Sequence, residues 1–308
     1  MSLRVVRPRA ALVPLVALFG GCIEELAPKN RVSGPRILDI VADRPELNPG
    51  QSSRLSVMLA GTQGVPRYRW YACVTSDFAR PGMGLANFGE ATFDGCFGDA
   101  SPRTPLGAEP TATFRAPTNT LESLETAAMR FGALLPPAVL RVIARDIGLV
   151  VGVGVEVEVD GVTLLGFKRL VVSLNPTPNT NPPPPRVQIN RVWVSTAGRE
   201  DGTCAPEDGT TLRLPRGTMV DLVPEPGEER WYERYKVLTP SGQLVERSEN
   251  AFYSWYATNG SFARGLTQSP TRNNVWGAQS YPRAETMWIL LRDGHGGTSG
   301  CRLALVVE

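Results

Sequence analysis

Tyr68-Arg69-Trp70-Tyr71-Ala72 and Tyr253-Ser254-Trp255-Tyr256-Ala257 are two copies of one pentapeptide, Y-x-W-Y-A, more than half the chain apart. The landmarks after each copy come in the same order. An aromatic-x-x-x segment follows, Phe114-Arg115-Ala116-Pro117 in the first copy and Trp276-Gly277-Ala278-Gln279 in the second. Next comes a strand pattern running into Asp-Gly, over residues 155–161 and 287–294, and then an apolar strand, over 170–173 and 303–307. A repeat of this order makes the chain two copies of one module.

Within each module apolar and polar residues alternate at period two, the pattern of strands with one buried and one wet face. In the first Trp segment Tyr68, Trp70 and Ala72 share one face, and Arg69, Tyr71 and Cys73 the other. Opening strands are predicted over 36–41 and 187–193. Turns follow at Asn48-Pro49-Gly50 and Pro215-Arg216-Gly217, and further strands over 53–59 and 218–223. Roughly seven short strands around a central Trp resemble the immunoglobulin-like β-sandwich. The resemblance departs from antibody domains in that the cysteines do not bracket the Trp. It implies an all-β chain of two tandem Ig-like sandwiches, residues 36–174 and 186–308. Residues 175–185, rich in Pro and without apolar side chains, read as a semi-rigid spacer between them. The first module carries a helical insertion at about 120–149: Leu121, Leu124, Ala127, Ala128 and Phe131 fall at helical spacing, and a second short helix is expected to start at Pro136-Pro137.

At the N-terminus Arg4, Arg7 and Arg9 precede an apolar run over 10–19, closed by Gly20-Gly21-Cys22. A positive start, an apolar centre and small residues before a cut make a secretory signal. The run is about half the ~20 residues that span a bilayer. Gly20-Gly21-Cys22 resembles the lipobox of bacterial lipoproteins, with Phe19 where that family prefers Leu. The resemblance implies cleavage of residues 1–21, acyl chains such as palmitate on Cys22, and a tether over 22–35. Ile23 stands where an Asp retains the better-known lipoproteins in the inner membrane, so the outer membrane is the expected location.

The chain has 308 residues and formal charge +2. Residues 1–21 contain three Arg and no acid, which leaves 29 basic and 30 acidic side chains on the mature chain. Such a balance offers no electrostatic case for nucleic acid or for an anionic membrane surface. Beyond Cys22 the cysteines number four, and an even count in an exported chain implies disulfides. Domain locality selects Cys73–Cys96 and Cys204–Cys301 among the three possible pairings. With no C-x-x-C and only His295 as histidine, no metal site is expected.

No catalytic motif is present: neither H-E-x-x-H, nor G-x-S-x-G, nor a phosphate-binding glycine loop. His295, in Asp293-Gly294-His295-Gly296-Gly297, reads as part of a hairpin turn, with Asp-Gly signalling type I′. Eight aromatics crowd residues 231–262, and alternation from Trp231 would put Trp231, Glu233, Tyr235 and Val237 on one face and Tyr232, Arg234 and Lys236 on the other. About half belong inside a sandwich; if a ligand platform exists, Tyr232, Arg234 and Tyr256 are its candidates. Glu200, Asp201, Glu207 and Asp208 around Cys204 could offer oxygen ligands to calcium, though a solvated disulfide loop is the simpler account. Lipobox, Pro-rich spacer, Arg bias and tandem modules together resemble the uncharacterised surface lipoproteins of myxobacteria. The expectation is a non-enzymatic envelope lipoprotein without cofactors, held to the membrane by its N-terminal lipid and displaying two Ig-like domains to an envelope protein or glycan. The alternatives are a carbohydrate-binding or adhesive surface module and, more remotely, an envelope hydrolase dependent on His295.

Overall fold

The computed structural model describes residues 29–73, 96–98, 103–119, 122, 137–197, 199, 201–239 and 243–308. Signal peptide, Cys22 and the helical stripe over 121–131 lie outside them.

The first module is a two-sheet sandwich. One sheet orders β1 (Arg36–Ala42), β3 (Ser52–Ala60) and β6 (Thr111–Arg115). The other orders β2 (Glu46–Leu47), β8 (Val162–Val172), β7 (Leu149–Val159), β4 (Arg67–Cys73) and β5 (Arg103–Gly107), with β2 parallel to β8. Between them Ile40, Leu55 and Phe114 meet Leu47, Trp70, Val155 and Leu170 in one core. Trp70 is fully buried, and its indole N–H donates to the Glu109 carbonyl at 3.0 Å. A buried Trp on an interior strand of the five-stranded sheet is the immunoglobulin arrangement.

The second module repeats that topology. β9 (Val187–Ile189), β13 (Met219–Pro224), β19 (Asn274–Gly277) and β17 (Ser261–Phe262) form one face. The other is formed by β12 (Leu212–Leu214), β21 (Thr298–Val307), β20 (Arg283–Arg292), β16 (Phe252–Ala257) and β18 (Leu266–Gln268). β12 runs parallel to β21 as β2 does to β8. Trp255 and Trp276 are fully buried here. The two Y-x-W-Y-A copies are therefore the same strand of the same fold, as the repeat predicts.

The expected strand over 187–193 is instead a hairpin of β9 with β10 (Val192–Ser195). Asn190 and Arg191 turn it with φ of 47° and 68°; Asn tolerates this left-handed region, the signature of a two-residue hairpin turn. β10 passes to β11 (Thr203–Pro206), and β11 pairs with β21, so the two faces join into one continuous sheet. A second hairpin, β14 (Arg234–Leu238) with β15 (Leu244–Ser248), is inserted before β16.

Both disulfides pair as expected, Cys73–Cys96 and Cys204–Cys301. Cys96 lies against β7 where Gly154 leaves room: a Cβ there would sit 2.6 Å from the Cys96 sulfur. Of the helical insertion, α1 (Pro137–Asp146) begins at a proline suited to the first turn and ends before Gly148 at φ 75°. The Asp-Gly turns differ between modules. Asp160 (φ 49°) and Gly161 (φ 77°) close a two-residue turn. Asp293-Gly294 is no type I′ turn: Arg292 pairs with Thr298, leaving a five-residue loop held by Asp293 Oδ1, which accepts the amides of His295 at 2.6 Å and Gly297 at 3.0 Å.

Residues 175–185 contain no helix or strand, but they do not space the modules apart. The first module lays β1 and β3 against the outward face of β16 and β20, burying Val32, Leu38, Ala60, Trp288 and Leu290 with Met58 and Tyr256. Leu38 belongs to this seam because the pairing of β1 with β3 shifts between Ile37 and Asp39. Ile40 and Ala42 point into their own core, and the bulge turns Leu38 the other way.

Candidate functional site

Where the seam meets the linker, carboxylates from distant parts of the chain converge. Glu46 on β2 is buried: its carboxylate accepts the Ser173 hydroxyl and, at 2.6 Å, the Asn179 amide. Asn179, also buried, donates from Nδ2 to Asp293 Oδ2 at 3.4 Å and to the His295 carbonyl at 3.2 Å. Thr180 donates its hydroxyl to Glu233 at 2.7 Å. Asn181 donates to the Ala42 carbonyl at 2.6 Å and accepts the Thr298 amide at 2.9 Å. Three consecutive linker residues thus clasp both modules at once.

Further contacts span the modules, among them Lys236 with Asp146 at 3.1 Å. Arg292 reaches Asp39 through Nε and Nη2, each 2.8 Å from Oδ2, and donates to the Ser254 hydroxyl at 2.7 Å. Lys168 donates to the Thr298 hydroxyl at 3.1 Å; its burial lowers the amine's pKa, against the raising charge of Asp39.

The second-module side of the clasp is rich in titratable groups. Asp293 is 1 % exposed, and its pKa rises to about 6. Burial is the main cause, with the Glu249 charge adding and the His295 amide opposing. Glu233 is raised mainly by burial. Glu249 Oε2 accepts the Glu233 amide at 2.9 Å, while its Oε1 faces His295 Nδ1 at 3.8 Å without a hydrogen bond. His295 stacks on Tyr235 with centroids 3.8 Å apart. Glu249, His295 and Tyr235 contact one another within the second module, while Asp293 and Glu233 meet the linker through Asn179 and Thr180. Among the described residues no group of three His, Cys, Asp or Glu side chains could hold a metal ion.

The structure disperses the candidate ligand residues. Trp231 lies in a 3₁₀ turn, Glu228–Trp231, so the alternation expected from it begins only at Arg234. Tyr232 packs on the second core, and its hydroxyl accepts the Ala251 amide at 3.0 Å. Arg234 pairs with Glu246 on the exposed hairpin at 2.9 Å. Tyr256 is in the seam beneath Arg36. No shared platform results. Of the acids near Cys204, Glu200 lies outside the described residues. Asp201 and Asp208 each cap a threonine two residues on, which lowers their pKa values, and Glu207 pairs with Arg186, which lowers its own. The sequence marks Asp293 only as a turn residue and leaves Glu46, Asn179, Asn181 and Glu249 unmarked, because only the folded chain brings them together.

No family model matches the chain, and no curated protein matches its sequence. Solved structures similar to it include the D0-D1 domain of intimin, at 9 % identity over 87 % of this chain and 98 % of that one, TM-score 0.19. Murine CEACAM1b matches at 6 % identity over 88 % and 99 %, TM-score 0.21. The Bacteroides ovatus mixed-linkage glucan utilization locus SGBP-B matches at 10 % identity over 89 % and 47 %, TM-score 0.20. Likeness at such TM-scores carries no argument about what this chain does.

Proposed function

We propose that the protein is a non-enzymatic lipoprotein of the cell envelope, anchored through acylated Cys22, whose two Ig-like domains are displayed as one locked body for binding or scaffolding. One observation carries the reading. The chain just after the tether is built into the second domain: the Val32 amide donates to the Ala257 carbonyl at 2.8 Å and the Ala257 amide to the Asn30 carbonyl at 3.2 Å. The same stretch enters the seam through Val32. A pull on the anchor is therefore shared by both domains. The clasp supports display, because Glu46 and Asp293 are both tied to the linker through Asn179. Several acyl chains would hold the protein stably, at about 0.8 kcal/mol for each buried methylene. Expression in a two-membrane bacterium, with fractionation and the mass of the N-terminal peptide, tests this. A chain beginning at acylated Cys22 in the outer membrane, released in Cys22→Ala, is expected. A soluble, unmodified chain in both forms overturns the reading.

A further inference from the structure

The mature chain is near neutral overall, yet its charge is not evenly spread. Several stretches contain no Asp or Glu, 47–76 and 161–199 among them; residues 26–38 and 250–284 are two more. The fold lays these last two together: Arg31 bridges to Ala257, its guanidinium donates to Asn259 Oδ1 at 3.2 Å, and a Cβ on Gly265 would lie 3.8 Å from Asn30. Lys29, Arg31, Arg36 and Arg264 are thereby gathered around the point where the tether joins the body. None of the four makes an ion pair with another described residue. Elsewhere Arg67, Arg69, Arg186, Arg213 and Arg234 are all matched to carboxylates. Leu266, beside Arg264, leaves 53 % of its surface in water.

We infer that this basic surface docks on anionic phospholipid headgroups, setting a fixed face of the two-domain body against the bilayer. The inference rests on the anchor reading for its geometry. Cys22 precedes Asn30 by eight residues, and even fully extended these reach only about 26–29 Å. A basic group gains from an anionic membrane only within about a Debye length, ~10 Å at moderate salt, and the short tether keeps this patch close enough to make that approach. Glu24 and Glu25 sit on the tether itself and oppose the effect. Docking turns the far ends of both sandwiches away from the membrane.

The test uses residues 23–308, which include both complete cores, and so needs no acyl chain. Vesicles of phosphatidylcholine, with or without one-quarter phosphatidylglycerol, are the probe. Wild type is expected to sediment with the anionic vesicles only and to be released by sodium chloride. Each basic residue near such a surface contributes roughly fivefold in partitioning, so Lys29→Gln/Arg264→Gln should weaken binding about 20-fold. Arg67→Gln/Arg213→Gln removes the same charge elsewhere and should change it by less than about twofold. No binding to anionic vesicles, equal binding to phosphatidylcholine, or equal loss in both double variants overturns the inference. Acylation of Cys22 is read separately from the N-terminal peptide, so either reading can fail while the other stands.

Discussion

Asp293 shows how one side chain couples the join to pH. Its carboxyl titrates at about 6 in the folded protein against an ordinary 3.8. A carboxyl raised in the folded state contributes stability that is whole below pH 3.8 and is lost as pH rises through 6. The span corresponds to about 2–3 kcal/mol. Asp293→Asn keeps an oxygen for the His295 and Gly297 amides. Its new amide can donate to Asn179 Oδ1, which is buried without a partner, once the Asn179 amide rotates. Urea denaturation from pH 4 to 7 should show the variant gaining on wild type by about 2–3 kcal/mol; parallel curves would contradict the assignment. At the β9–β10 turn, Arg191 holds φ at 68°, which glycine adopts without a steric cost. Arg191→Gly should stabilise the protein by about 0.5 kcal/mol in the same assay, the gain in strain exceeding glycine's extra chain entropy.

Among the elements, the staples close loops of very different length. Cys73 and Cys96 are 23 residues apart, Cys204 and Cys301 97. In the chain-entropy account these contribute about 3.5 and 4.7 kcal/mol. Cys204→Ala/Cys301→Ala should therefore lower the urea midpoint more than Cys73→Ala/Cys96→Ala. It also unfastens β11 from β21, where the two faces of the second sandwich join. The Y-x-W-Y-A repeat made the sandwiches and their order legible, because a buried Trp on an alternating strand leaves a local pattern. The seam went unread, although equivalent strands differ at it: β7 turns Glu156 and Glu158 outward into ion pairs, whereas β20 turns out Trp288 and Leu290. Apolar residues on both faces of a strand mean that both are covered. The bulge that re-aims Leu38 left no such trace, since period-two alternation assigns it to its own core. The hairpin at Asn190 was hidden inside a run of strand-forming residues. Glu46, Asn179 and Asp293 could not be linked from sequence, because their meeting depends on how two folded domains lie together.

At the scale of the molecule, the linker, the apolar seam and the Arg292–Asp39 pair make one body of two modules. Replacing Asp39 by Ala leaves the Arg292 guanidinium partly buried against the seam without its carboxylate. Removing one partner of a fully buried pair costs about 3–5 kcal/mol; with Arg292 part-exposed, about 2 kcal/mol is expected here, lost from the junction and not from either core. Display by a short tether depends on this join, since unlocked domains would move independently about residues 175–185. Differential scanning calorimetry of residues 23–308 at pH 5 tests it most directly. One transition is expected, with calorimetric and van't Hoff enthalpies equal, and it should separate into two in Asp39→Ala. Two independent transitions in the wild type, unmoved by that substitution, would contradict a locked body.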